Sequence, residues 1–217
     1  MLVYSTSMRI FISGGTGYIG RALLPRLLTK HEVTALVRPG SQSKLPPGVT
    51  PQIGNALDAS TFNCDGAHTF IHLVGTPHPA PWKAEEFKAV DLVSLKASAA
   101  VAARAGVKHF IFLSVAQPAP VMRAYIEVRA ECERILRDTG LTTTIVRPWY
   151  VLGPGHYWPY AIIPIYALAR QIPTLRDGAT RLGLVTLKQM VDTLNWSVNN
   201  PPAATRILGV PEIKLPR

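Results

Sequence analysis

Cysteine is almost missing from this chain. Among 217 residues there are 2, Cys64 and Cys132, far apart and in no C-x-x-C spacing. That excludes a disulfide framework and a cysteine zinc site as the organising device, and it makes a reducing compartment, the cytoplasm, the expected setting. Carboxylates are also scarce: 13 Asp and Glu stand against 23 Lys and Arg, for a formal net charge of +10. No dense Lys/Arg block accompanies the excess. Scattered cations make a solvated basic surface that favours anionic small molecules, and contact with nucleic acid is not expected. Long apolar runs are lacking too. The longest, Tyr157 to Ala169, is broken by Pro159 and Pro164 and falls short of the roughly 20 residues of a membrane helix, so no membrane insertion is expected. Met1 to Ser7 carries no secretory pattern, and Met8 is a candidate start with those seven residues as a ragged extension. Internal repeats and low-complexity tracts are absent. Apolar residues are plentiful, at 47%, enough for a sizeable core in a single domain.

The most informative stretch is Ile10-Phe11-Ile12-Ser13-Gly14-Gly15-Thr16-Gly17-Tyr18-Ile19-Gly20. A β-branched apolar run stops in glycines, and a segment with helical apolar spacing runs from Tyr18 to Leu28. Gly15, Gly17 and Gly20 fit G-x-G-x-x-G; Gly14, Gly17 and Gly20 fit its G-x-x-G-x-x-G variant. One glycine makes a turn that a Cβ would block, one lets a pyrophosphate approach the backbone, and one lets the helix pack close to the strand. The helix N-terminus then directs N–H groups and a partial positive charge at phosphate. Placement between a strand and a helix is the context that gives the pattern meaning.

Further strands are expected at Glu32 to Arg38, Val49 to Ile53, Thr69 to Gly75, Lys108 to Val115, Thr142 to Val146 and Thr205 to Val210. Helices are expected at Ala84 to Ala105, Met122 to Thr139 and Leu187 to Val198, the first two stopped by Gly106 and Gly140. Pro25 should kink the first helix or cost about 3 kcal/mol unless accommodated. The alternation predicts an α/β fold, a doubly wound parallel sheet of Rossmann type over residues 1–217, with 148–186 adding a short C-terminal appendage on the substrate side. In such sheets ligands lie beyond the carboxyl ends of the strands. The loops at 39–51, 76–82, 116–121 and 148–158 leave those ends. Proline, histidine and aromatic residues concentrate there, including Tyr157, Trp158 and Tyr160, which suit either an apolar, flat ligand or a core.

At the end of the second strand an Asp or Glu would accept from an adenosine 2′-hydroxyl; here stands Arg38, whose guanidinium grips a 2′-phosphate. NADPH is therefore favoured over NADH. Asp58 is either an adenine contact or a helix N-cap. His72, inside an apolar run, reads as a core histidine. Ser114 ends a strand, and Tyr125 and Arg129 share a helix face at i, i+4.

With Gly14-Gly15-Thr16-Gly17-Tyr18-Ile19-Gly20, Leu36-Val37-Arg38, Phe112-Leu113-Ser114, Tyr125-x-x-x-Arg129 and Arg147-Pro148 through Gly153-Pro154-Gly155, the chain resembles the short-chain dehydrogenase/reductase superfamily. It is most similar to the extended and atypical branch of epimerase/dehydratase-like and NmrA-like proteins. The resemblance implies cofactor contacts at Gly14, Thr16, Gly17, Tyr18, Ile19, Gly20, Arg38, Asp58, Val74, Gly75, Arg129 and Pro148. It implies Tyr125 as general acid/base, Ser114 as hydrogen-bond partner of a substrate carbonyl or hydroxyl, and Arg129 in the place of the superfamily's lysine. Asp91 stands where relatives often carry asparagine. A free tyrosine titrates near ~10, and one nearby cation supplies ~1–3 units of the shift needed for a base at neutral pH. Donation by neutral tyrosine, in the reducing direction, needs no such shift. The implied activity is hydride transfer between NADPH and a small apolar carbonyl, enone or quinone-like compound. A non-catalytic NAD(P)-binding regulator, redox sensor or assembly factor is the alternative. An epimerase or isomerase with tightly held cofactor is a weaker one.

Overall fold

A computed structural model describes residues 7–155, 163–169 and 171–217. Tyr157, Trp158 and Tyr160, and all but the last residue of the leading segment 1–7, lie outside the described residues. The chain runs β1 (Arg9–Ser13), α1 (Tyr18–Leu27), β2 (Glu32–Val37), β3 (Val49–Ile53) and β4 (Thr69–His72). Next come α2 (Ala84–Glu86), a π-helical turn (Phe87–Leu92), α3 (Val93–Arg104), β5 (His109–Leu113), α4 (Arg123–Asp138) and β6 (Thr143–Val146). The last part holds β7 (Tyr150–Leu152), α5 (Ile163–Ala169), α6 (Pro173–Arg181), β8 (Leu184–Thr186), α7 (Leu187–Asn199), β9 (Thr205–Leu208) and α8 (Val210–Ile213).

Seven strands form one sheet in the order β3-β2-β1-β4-β5-β6-β9, every pairing parallel. The doubly wound α/β fold is thus the one expected. Its central strands β1, β4, β5 and β6 are buried at almost every position because both faces are covered. On one face Ile10, Ile12, Val33, Ala35 and Ile71 pack with Leu23, Leu24 and Leu27 of α1 and Met190, Leu194 and Val198 of α7. On the other, Phe11, Phe70 and Phe110 occupy one register row of β1, β4 and β5, their rings 5.0 Å apart at each step. Each ring, fully buried, contributes ~1.5–3 kcal/mol. Leu95 of α3 and Cys132 and Leu136 of α4 close that side.

Two expectations are corrected, and a third, Pro25, is accommodated. The helix expected from Ala84 to Ala105 is interrupted by the π turn, which contains Asp91. The last strand stops at Leu208, and Val210 instead opens α8, with Pro211 in its first turn. Pro25 lies in the last, exposed turn of α1, so the helix ends two residues later and no interior turn is broken. Pro51 is accommodated because β3 is an edge strand, bonded only to β2. Within 148–186, β7 and β8 pair as a separate parallel two-stranded sheet.

Candidate functional site

The carboxyl ends of β1, β4, β5 and β6 open into a cavity of about 540 Å³. One wall is the glycine loop, with Gly14, Gly17, Tyr18, Ile19 and Gly20 all lining it. The glycines there do separate jobs. Gly14 has φ +81, and a Cβ on it would sit 2.8–2.9 Å from the Leu73 carbonyl and the Val74 nitrogen. A Cβ on Gly20 would come within 2.6 Å of Gly15, so this residue sets how close α1 approaches the loop. At Gly17 a Cβ would meet only the Gly14 oxygen, at 3.2 Å, so its open side faces the cavity. No side chain caps α1 at Gly17. The first-turn amides are therefore left for an anion, and the cradle fits a dinucleotide's pyrophosphate.

The facing wall comes from the ends of β5 and β6 and the start of α4. Ser114 and Ala116 donate backbone N–H bonds to the carbonyls of Val146, at 2.7 Å, and Pro148, at 2.8 Å. These bonds fix the two loops side by side. Leu113, Ser114, Val115, Pro148, Trp149 and Tyr150 line the cavity there, with Tyr125 and Arg129 projecting from α4. The Tyr125 ring packs on Phe87 at 4.9 Å. Met122, with φ 61, starts α4 in the left-handed region, and His78, with φ 49, lines the cavity from the Pro77–Pro79 loop. Such backbone in non-glycine residues gathers at functional sites.

Arg129 is not a loose cation beside the tyrosine. Its Nη2 lies 2.6 Å from Asp91 Oδ1, with 5% and 0% of the two side chains exposed. Its Nη1 donates to the Leu113 carbonyl at 2.8 Å, and the guanidinium lies over Tyr125, 5.2 Å from the ring centroid. Asp91 Oδ2 accepts from the Thr76 amide (2.9 Å) and hydroxyl (2.6 Å). Burial works against the Arg129 charge, but the Tyr125 oxygen and Asp91 more than offset it and raise its pKa above the ordinary value. Arg129 and Asp91, the two residues at which the resemblance is imperfect, are therefore one matched pair.

Glu133 was not singled out from the sequence, although its i+8 spacing from Tyr125 was a usable signal. It is 1% exposed. Its Oε1 accepts from the Ser114 hydroxyl (2.6 Å), the Gln117 amide (2.8 Å) and Arg147 Nε (2.9 Å). Arg147 Nη2 bonds the other oxygen. Below, His72 is buried between the Ser13 and Ser98 hydroxyls, each 3.0 Å from Nδ1. Burial, with Arg129 nearby, pulls its pKa down to about 3, so it is a neutral core histidine.

Other expected cofactor residues stand outside this lining. Arg38 is exposed just past β2. Asp58 is exposed and spends its carboxylate on the Ser60 amide and hydroxyl, at 2.9 and 2.7 Å, which lowers its pKa and makes a local turn. Thr16 and Val74 flank lining residues, while Gly75 lines the cavity and takes the Arg129 guanidinium against it. Among the described residues no group of three or more His, Cys, Asp or Glu could hold a metal. None of their helices is long and apolar enough to cross a membrane.

An all-parallel doubly wound sheet with an open glycine cradle at its switch point defines a dinucleotide-binding α/β protein. Residues 14–155 match the sequence profile of the NAD(P)H-binding family, and the chain belongs to that family. No curated protein matches it in sequence. Among solved structures, WbmH of Bordetella bronchiseptica, in complex with NAD+, aligns with TM-score 0.70 at 16% identity, over 94% of this chain and 76% of that one. A UDP-galactose 4-epimerase aligns at 0.69 and 18%, over 93% and 77%. MoeE5, in complex with UDP-glucuronic acid and NAD, aligns at 0.69 and 19%, over 94% and 79%. These likenesses establish the fold, a Rossmann-type doubly wound α/β sheet.

Proposed function

We propose that the protein is an NADPH-dependent oxidoreductase acting between the nicotinamide and a small apolar carbonyl, enone or quinone-like compound. One observation carries the reading: a single cavity is lined by the open glycine cradle on one wall and by Ser114 and Tyr125 on the other. The loop amides would hold the pyrophosphate, and Gly75 and Pro148 would border the nicotinamide half. Arg38, exposed at the end of β2, would take a 2′-phosphate. The cofactor supplies the hydride, and the protein orients it. Tyr125 acts as a proton donor. Asp91 and the Leu113 carbonyl hold the Arg129 guanidinium in place over the tyrosine ring. In the reducing direction a phenol acts by donating its proton to the substrate oxygen.

The second reading is a non-catalytic NAD(P)-binding regulator, favoured by the same tied-down Arg129. The two separate in one set of measurements. Titration should show NADPH binding more tightly than NADH, and Arg38→Ala should weaken NADPH selectively. Nicotinamide absorbance should fall with a ketone, enone or quinone from a panel, and Tyr125→Phe should abolish that turnover while sparing cofactor affinity. Cofactor binding with no turnover across the panel supports the regulator.

A further inference from the structure

The Ser114 hydroxyl has one proton, and the fold has already assigned it. Glu133 is buried beside Arg147, which donates from both Nε and Nη2. Both of its oxygens thus accept from a guanidinium, and a carboxylate so paired is an acceptor in its remaining contacts too. Ser114 Oγ, 2.6 Å away, is therefore the donor of that bond. The atoms of Gln117 and Arg147 that crowd the same Oε1, an amide NH2 and a guanidinium N–H, are donors and do not take the serine proton. What Ser114 presents to the cavity is an oxygen with lone pairs and no hydrogen.

We infer that Glu133 is a positioning residue which makes the Ser114 subsite an acceptor, so that the ligand atom seated there is a hydroxyl and not a carbonyl. The inference deepens the proposed function: of an alcohol/ketone pair, the alcohol is the member held at Ser114. The ketone oxygen has Tyr125 as its donor and meets lone pairs at the serine. A carbonyl placed against an acceptor leaves two acceptors facing each other in a site that Pro148, Trp149 and Val115 keep apolar. An unmatched buried contact of this kind lowers affinity by about tenfold or more.

The test uses a matched pair of probes, 1-indanol and 1-indanone, whose ring suits a wall carrying Trp149 and Tyr150. Their affinities for the full-length protein are measured without cofactor, by ligand-observed NMR, alongside an independent NADPH titration. The wild type should bind the alcohol about tenfold more tightly. Ser114→Ala should bring the ratio close to one. Glu133→Met, which removes the acceptor and frees the serine proton for the cavity, should move the ratio toward the ketone, a change that a merely structural role would not produce. Equal affinities in the wild type, or an alcohol preference that survives Ser114→Ala, overturn the inference. Alcohol preference with no NADPH binding sinks the proposed function and leaves this inference standing.

Discussion

The Asp91–Arg129 pair makes the sharpest energetic prediction. Both side chains are essentially out of water, at 0% and 5% exposure, so solvent screening does not dilute the interaction as it does at a surface. Removing one partner of a buried pair leaves an unmatched charge, at a cost of about 3–5 kcal/mol. Asp91→Ala also strips the acceptor from the Thr76 amide and hydroxyl, so it should sit at the upper end of that range. That is a large share of the ~5–15 kcal/mol stability of an ordinary domain. The informative experiment is therefore a double-mutant cycle with milder changes, Asp91→Asn and Arg129→Met, followed by urea unfolding. Each single variant should lose about 2–4 kcal/mol, and the double variant should lose less than their sum by at least ~1.5 kcal/mol. Additivity within ~0.5 kcal/mol would mean that the two charges do not support one another, and the account of Arg129 as a neutralised residue would fail.

The glycine loop separates folding from binding. Gly14→Ala forces a Cβ into the Leu73 backbone at positive φ and should destabilise by at least ~1–3 kcal/mol. Gly17→Ala, at φ −75 with its Cβ directed toward the cavity, should change stability by under ~1 kcal/mol yet weaken NADPH tenfold or more; chemical denaturation and calorimetry read the two effects. Two buried histidines predict acid sensitivity. Burial above all holds His72 at about 3 and His109 at about 4, against ~6.5 in the unfolded chain. Below pH ~6.5 the unfolded state takes up protons that the native state refuses. Stability should thus be lost as pH falls from 6.5 toward 4, by roughly 2 kcal/mol per histidine at pH 5. His72→Asn should remove about half of that loss in urea midpoints, and a flat profile between pH 7 and 5 would refute it.

Much of the fold was legible because its signals are local. Each buried parallel strand is a short apolar run, and Gly106 and Gly140 stop helices at the positions expected of them. The β7–β8 pair was not legible: Tyr150–Leu152 and Leu184–Thr186 are three residues each and meet only through tertiary packing. Nor does any pattern in Phe87–Leu92 announce the π turn, since periodicity over six residues cannot separate turns of such similar width. At the site, Ser114, Tyr125 and Gly14–Gly20 could be named because their roles depend on motif and position. What Arg129 and Ser114 can do depends on Asp91 and Glu133, which reach them from other elements or along a helix face, and no local motif encodes that.

The pattern on α4 ties these points together. Tyr125, Arg129 and Glu133 follow at intervals of four and form one stripe toward the carboxyl ends of β5 and β6. The stripe carries a phenol, a cation and an anion. Each charge is matched from a different element, Arg129 by Asp91 of the π turn and Glu133 by Arg147 beyond β6. Buried charges demand such matching, since a lone ion at either position would be driven to neutrality or out of the core. Matching has a chemical consequence. The cavity wall is rigidly built from ions, yet little net charge from α4 is left to act on a ligand. Two hydroxyls remain, and their polarity is opposite: Tyr125 is a donor with no carboxylate to take its proton, while Ser114 has given its proton to Glu133. A donor and an acceptor side by side distinguish a carbonyl from a hydroxyl by hydrogen-bond direction alone. The wall's selectivity should therefore respond to Glu133→Met while tolerating added salt.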